Sequence, residues 1–178
     1  MRGAWTLWNL LGALVLLAGL GAFFLGTRRP PDRVENPPAP VVRAEAEPEE
    51  VELKLYFAGR EGFVLERRKV RLAPFESKLA RALSELVKGP QLAGARPLLP
   101  PDSPVPRAFL AGKTVYLDLP GAYKKLGYGV RGESFLLYGL ANTALANTEA
   151  DEVRFLLEGK PAMALIHLSL ADPIRRAR

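Results

Sequence analysis

An uncharged apolar run near the amino terminus most constrains what this chain can fold into. It reads AWTLWNLLGALVLLAGLGAFFLG, from Ala4 to Gly26, and contains no charged residue. As a helix it would extend for about 34 Å, which is long enough to span a bilayer. We therefore predict one transmembrane anchor within residues 1–26, in contact with the cytoplasmic membrane through residues 4–26. A cleaved signal peptide is the alternative interpretation, although the run lacks a clear cleavage site.

The segment that follows, residues 27–50, is predicted to form an extended and solvated stalk. It reads TRRPPDRVENPPAPVVRAEAEPEE and contains six prolines, no aromatic residue and charges of both signs. Such a composition favours an open chain over a packed element. Residues 51–178 then remain for folding, which is an ordinary size for one domain. The arginines after the apolar run would keep this domain in the cytoplasm if the positive-inside rule alone decided its side.

The folded domain is predicted to be α/β (α+β), with its elements in the order ββαββαβ. Strict alternation of apolar and polar residues predicts paired strands in VELKLYFA and FVLERRKVRL. A helix ending at Gly89, a hairpin that turns at Gly112, a helix over about 133–147 and a strand in EVRFLLEG follow. A last extended piece is predicted in ALIHLSL. We expect a small mixed β-sheet with two helices packed on one face and the other face free.

The stretch GYGVRGES spaces Gly127, Gly129 and Gly132 as G-x-G-x-x-G, which can mark a dinucleotide site. In such a site the chain turns directly from a strand into a helix whose first N–H groups meet the pyrophosphate. Here seven residues separate Gly127 from Leu119, the end of the predicted strand. We therefore predict no nucleotide and no other cofactor. The first two glycines are expected to turn the chain, and Glu133 to favour the start of the next helix.

Catalytic chemistry finds little support in the sequence. The chain has no cysteine, and its only histidine, His167, lies near Ser169 and Asp172. On a strand His167 and Ser169 would project from the same face, while Asp172 would fall beyond its end, so a catalytic relay is not expected. The carboxylates lack the spacing of metal ligands. We predict that the protein is not an enzyme and has no metal-binding residues.

Besides the free face or edge of the sheet, a basic stretch offers a candidate contact surface. Residues 51–178 carry 20 Lys or Arg against 13 Asp or Glu, and the stretch Arg67, Arg68, Lys69, Arg71 concentrates part of this excess. No nucleic-acid recognition motif accompanies it, so no nucleic-acid partner is expected. Alternation on a strand would align Arg67, Lys69 and Arg71, which we take as candidate partner contacts. A merely solvated strand face is the simpler interpretation.

Taken together, these segments resemble the GerMN domain, a module of membrane or lipoprotein envelope proteins of bacteria. The first half of the family pattern is similar to VELKLYFA, ALSELVKGP and LLPPDSPVPRAFLAGKTVYLDL, in which Asp118 closes a strand. The second half is similar to GESFLLYGLANTAL, with Asn142 and Thr143, and to EVRFLLEGK and HLSLADPIRR. The resemblance covers roughly residues 51–176. The chain departs from the pattern at Leu119, where the family often has serine.

The resemblance implies a domain similar to the ring-building modules of sporulation and secretion assemblies, which act by protein contact. It also implies a location outside the cytoplasmic membrane, and we follow it over the arginine count. We therefore expect a single-pass envelope protein that scaffolds or localises a partner complex, with an envelope protein or a second copy as partner. The alternative is a module that binds cell-wall or other anionic polymer through Arg67, Lys69 and Arg71.

Overall fold

A computed structural model of the chain describes residues 7–26 and 49–176. The chain divides into two units, residues 1–44 and 45–178. In the first unit, helix α1 (Leu7–Gly26) exposes apolar side chains that include Leu14 and Leu17. Within the described ranges, no helix combines the length and the apolar character that crossing a bilayer requires, so the predicted span at residues 4–26 is not supported. The predicted stalk lies almost wholly outside the described residues.

The second unit contains seven strands, two α-helices and a 3₁₀ helix within the described residues. In chain order these are β1 (Glu50–Ala58), β2 (Phe63–Arg71), α2 (Lys78–Lys88), β3 (Arg107–Ala111), β4 (Thr114–Leu119), a 3₁₀ helix (Gly121–Lys125), α3 (Val130–Ala146), β5 (Glu152–Leu157), β6 (Lys160–Pro161) and β7 (Ile174–Arg175). The predicted order ββαββαβ is present over its whole length. The structure adds the short strands β6 and β7.

Strands β1 and β2 form an antiparallel hairpin whose inner face packs on α2 and α3. The alternation in β1 buries Leu53, Leu55 and Phe57 completely, as its pattern predicts. Helix α2 begins after Ser77, whose hydroxyl accepts a hydrogen bond from the Ala80 N–H at 3.1 Å. Its apolar stripe faces the same core, so the hairpin and α2 cover each other.

The remaining strands form a mixed sheet in the order β3-β4-β5-β6, with β7 also paired to β5. A two-residue turn joins β3 to β4, and Gly112 takes a positive φ of 59° there, which glycine adopts without strain. Strands β4 and β5 are parallel, and α3 is the crossover between them. This confirms the predicted mixed sheet and its hairpin.

The structure corrects the prediction of one sheet, because the β1–β2 hairpin is a separate sheet. Helix α3 lies along the edge of β1 where a further strand would otherwise pair. The Thr143 hydroxyl accepts from the Tyr56 N–H at 3.0 Å. The Asn147 side-chain amide accepts from the Lys54 N–H at 3.1 Å and donates to the Lys54 carbonyl at 2.7 Å. Since these side chains satisfy the strand edge, β1 has no need of a second strand partner there.

The approach of α3 to β1 depends on a glycine inside the helix. A Cβ added at Gly139 would lie 3.1 Å from the Tyr56 carbonyl oxygen and would also collide with the Leu98 side chain. Glycine normally weakens a helix interior by about 1 kcal/mol relative to alanine. At this position the missing side chain lets the helix backbone come close enough for Thr143 and Asn147 to reach the strand.

We predict that Asn147→Ala lowers the free energy of unfolding by about 2–3 kcal/mol, because it leaves polar groups of Lys54 without partners at a half-buried edge. Urea denaturation followed by circular dichroism measures the loss. The matched control is Asn142→Ala on the same helix, since no bond to β1 involves its side chain, and it should be neutral or slightly stabilising. Equal losses in the two variants would contradict the role given to Asn147.

Candidate functional site

The three basic residues predicted as partner contacts lie together on the exposed face of β2. Arg67, Lys69 and Arg71 alternate with inward residues, and the antiparallel register places Glu52 opposite Lys69 and Glu50 opposite Arg71. Arg67 forms an exposed ion pair with Glu52 at 3.5 Å. Such surface pairs contribute at most about 1 kcal/mol, so the row remains accessible to a partner. The acids across the strand nevertheless offset part of its charge.

Arg68, the fourth residue of the basic stretch, points to the opposite side and is buried. Its guanidinium donates to Glu66 through Nη2 and Nε, and to Glu85 Oε2 at 2.7 Å. Burial alone would raise the pKa of Glu66 and of Glu85. Hydrogen bonds from Arg68 and two main-chain N–H groups outweigh burial at Glu66, and those from Lys88 and Arg68 outweigh it at Glu85, so each pKa lies below its usual value. Arg68 is therefore part of the internal structure and not of the contact surface.

Glu133, in the stretch GYGVRGES, is completely buried and receives three main-chain hydrogen bonds. Its carboxylate accepts from the N–H groups of Ile166, His167 and Leu168 at 2.8–3.1 Å. Burial alone would raise its pKa, but these three donors outweigh burial and keep the pKa below its usual value. The structure thus gives Glu133 a larger role than the predicted one at the helix start, because it ties the carboxy-terminal loop to α3.

The same contacts correct the predicted extended piece in ALIHLSL. Residues 164–170 turn back on themselves, with only an isolated bridge between Ala164 and Ser169. Three successive N–H groups can converge on one carboxylate only where the chain curves around it, which a strand does not do. His167 and Ser169 are both exposed on this loop, and the Ser169 hydroxyl accepts from the Ala171 N–H at 3.2 Å.

The glycines of GYGVRGES serve the turn that leads into α3. Gly127 has a positive φ of 65°, whereas Gly129 has a φ of −72° that any residue can adopt. Both glycines lie in the turn, as predicted, but only Gly127 has a backbone conformation that favours glycine. The 3₁₀ helix Gly121–Lys125 lies between β4 and α3, so the direct strand-to-helix turn of a dinucleotide site is not formed.

Asp118, which closes a strand in the family resemblance, has structural partners for its carboxylate. Asp118 is buried, and it accepts from the Gly159 N–H at 2.6 Å and from Arg107 at 2.5 Å. It thereby fastens the end of β4 to the turn between β5 and β6. Over residues 7–26 and 49–176, no three histidine or acidic side chains come together as metal ligands would.

The uncovered face of the mixed sheet, which was expected as a contact surface, carries an aromatic pair that the sequence analysis did not single out. Phe109 of β3 and Tyr116 of β4 stack there with ring centroids 5.1 Å apart and planes 5° apart, and Phe109 is half exposed. Arg154 of β5 is next to Tyr116 in the register. The two-residue turn at Gly112 pairs residue 109 with residue 116, so this ring pair could have been read from the predicted hairpin.

Comparison with known proteins identifies the family of this domain. A family model described as "Germane: Sporulation and spore germination" matches residues 54–163. The chain belongs to this family. The first GerMN domain of the sporulation protein GerM from Bacillus subtilis has a similar structure, with a TM-score of 0.57, 21% sequence identity, and coverage of 71% of this chain and 98% of that one. The GerMN family assignment made from the sequence is therefore confirmed.

A second solved structure, the tandem GerMN domains of the same B. subtilis protein, gives a TM-score of 0.55 at 21% identity. It covers 71% of this chain and 45% of that chain, as expected when one domain is matched to a pair. A comparison with curated proteins finds no match. The GerMN fold is thus shared with both structures, and the Germane match extends from β1 to Met163, two residues beyond the end of β6.

We predict that Glu133→Gln lowers the free energy of unfolding by about 2–3 kcal/mol at pH 7, because an amide cannot accept all three N–H groups. The depressed pKa of Glu133 means that its contribution is complete at neutral pH and is lost as the pH falls below 4.5 through the folded-state pKa. The variant should therefore lose less stability than the native chain between pH 7 and pH 3.

Urea midpoints of both proteins at the two pH values measure this difference. Glu149→Gln is the matched control, since Glu149 is exposed, and its effect should stay within about 0.5 kcal/mol. A stability profile against pH that is identical in Glu133→Gln and in the native chain would refute the role of the buried carboxylate.

Proposed function

We propose that this GerMN-family protein is a non-catalytic cell-envelope protein whose domain scaffolds or localises a partner complex by protein contact. The observation that carries the proposal is the uncovered face of the mixed sheet, where Phe109 and Tyr116 stack in the open. Exposed aromatic pairs beside an arginine are typical of the few residues that dominate a protein interface. Membership of a sporulation and germination family supports the same role.

The edge of the mixed sheet strengthens this assignment. Strand β3 pairs only with β4 within the described residues, so its outer edge is open to a strand from a partner. The neighbouring side chains Phe109 and Leu110 are both about half exposed. Main-chain pairing along such an edge supplies affinity, and the adjoining side chains supply specificity. An envelope protein or a second copy of the chain would use this surface.

A non-catalytic role is supported by how the buried ionisable groups are used. Glu66 and Glu85 hold Arg68, Asp118 holds a turn, and Glu133 holds a loop. Each of these carboxylates already accepts hydrogen bonds from the protein, so each stabilises the fold. A general acid or base would instead direct its perturbed carboxyl towards a substrate.

We place the domain outside the cytoplasmic membrane, with the amino-terminal unit associated with it. The uncharged run over residues 4–26 and the exposed leucines of α1 support membrane association. The family resemblance supports the extracytoplasmic side over the arginines that follow the run.

Phe109→Glu is predicted to reduce partner capture at least tenfold, because it puts a charge at the centre of the apolar contact. The measurement is cross-linking of the full-length protein in intact spheroplasts with a membrane-impermeant amine reagent, followed by mass spectrometry. Met163→Glu, which replaces an exposed apolar residue in the loop after β6, is the control and should cross-link normally. Equal capture in both variants would count against this surface, and cross-links that appear only after lysis would count against the location.

A second candidate function, binding of an anionic wall polymer, is favoured by the alignment of Arg67, Lys69 and Arg71 on one exposed strand face. Replacing all three by glutamine should then lower binding of the protein to isolated sacculi at least tenfold, with a steep dependence of binding on salt. Sedimentation of the protein with sacculi measures this. Unchanged binding would remove the polymer hypothesis and leave protein contact unaffected.

A further inference from the structure

We infer that a groove beside the end of β1 binds an acidic, partly apolar peptide segment of a partner protein. The groove encloses about 780 Å³ and is lined by Arg60, Arg96, Arg131, Leu98, Tyr128 and Phe135, among other residues. None of the described residues that line it is acidic. We call it the arginine groove, and it is distinct from both sheet surfaces considered above.

Two of the three guanidinium groups of the arginine groove are held in place by hydrogen bonds, and none of the three is neutralised by an ion pair within the described residues. Arg96 donates to the Gly59 carbonyl at 2.8 Å, and Arg131 donates to the Arg60 carbonyl at 3.2 Å. No ion pair within the described residues involves any of the three, whereas Arg68 and Arg107 are each paired with a carboxylate. The arginines of the groove therefore retain their full charge and their remaining N–H donors for a ligand.

The apolar wall of the groove is also fixed in place. The Phe135 ring packs edge to face on Phe63, with centroids 5.3 Å apart and an angle of 72° between the planes. The Arg131 guanidinium carbon lies 5.8 Å from the centre of the Phe135 ring. The Tyr128 hydroxyl donates to the Leu98 carbonyl at 2.9 Å, which fixes the second ring. A ligand in the groove would therefore contact ordered aromatic rings and guanidinium groups that lie next to each other.

This combination favours a peptide over a simple phosphate. A planar guanidinium fork matches a carboxylate as well as it matches a phosphate. A phosphate group, however, would leave the aromatic wall in contact with water, and the groove has the volume of a site for a larger organic ligand. A chain that alternates acidic and apolar side chains satisfies both halves of the lining. The choice of a protein ligand rests on the proposed function, whereas the groove does not.

The probe is a fluorescein-labelled peptide of sequence Glu-Phe-Glu-Leu-Glu, added to the full-length protein and followed by fluorescence anisotropy. The test variant carries Arg60→Gln, Arg96→Gln and Arg131→Gln, and it should bind at least about tenfold more weakly than the native chain. The control variant carries Lys124→Gln, Lys125→Gln and Lys160→Gln, which are three exposed lysines that do not line the groove. It also loses three positive charges and should bind within about twofold of the native chain.

Arg60→Gln alone is a second test variant in case the triple variant misfolds. It should fold normally, because no hydrogen bond in the described structure uses the Arg60 guanidinium, and it should weaken binding about threefold or more. Equal weakening in the two triple variants would overturn the proposal, since it would indicate general charge attraction. Equal affinity for a peptide with glutamine in place of glutamate would overturn it as well. So would binding of inorganic pyrophosphate without binding of the peptide, which would make the groove a phosphate site. If the scaffolding role fails, the native protein and all its variants give no partner cross-links in spheroplasts, while peptide binding in the groove is still measured.

Discussion

The satisfaction of the β1 edge by side chains of α3 is the interaction on which the rest of the domain depends. Thr143 and Asn147 supply to Tyr56 and Lys54 the hydrogen bonds that a neighbouring strand would otherwise make. This holds the hairpin against the helix without joining it to the mixed sheet. Since α3 is also the crossover from β4 to β5, one helix fixes both sheets around a common core.

Buried charged groups connect elements of this domain that apolar packing could connect in a larger domain. Arg68 crosslinks β2 to α2 through Glu85, and it closes the end of α2 by donating to the Gly89 carbonyl at 3.1 Å. Glu133 accepts three hydrogen bonds from a loop that has almost no secondary structure of its own, and so holds that loop in place. Buried ions of this kind add little net stability but penalise wrong arrangements heavily, because a lost partner leaves a charge without compensation.

Local patterns in the sequence account for the elements but not for how they meet. The alternation in β1 and the turn at Gly112 are sufficient to predict both hairpins, since they depend on neighbouring residues. Alternation along β2 places Arg68 on the opposite face from Arg67. The acid Glu85 on the inner side of α2 is a partner that would have indicated the burial of Arg68. The hydrogen bonds between Asn147 and Lys54 join residues 93 positions apart, and the arginine groove is lined by three segments that are distant in sequence. Neither feature can therefore be predicted from a short-range pattern.

The closed edge of β1 decides how copies of this domain could join through their strands. Within the described residues, β2 pairs only with β1 and β3 only with β4, so these two strands have open edges that belong to different sheets. Pairing of like edges, β3 with β3, would use the same surface on both copies and would end at a dimer. Pairing of β2 with β3 would leave each new copy with an unused edge, so that addition continues until a ring closes or a filament forms.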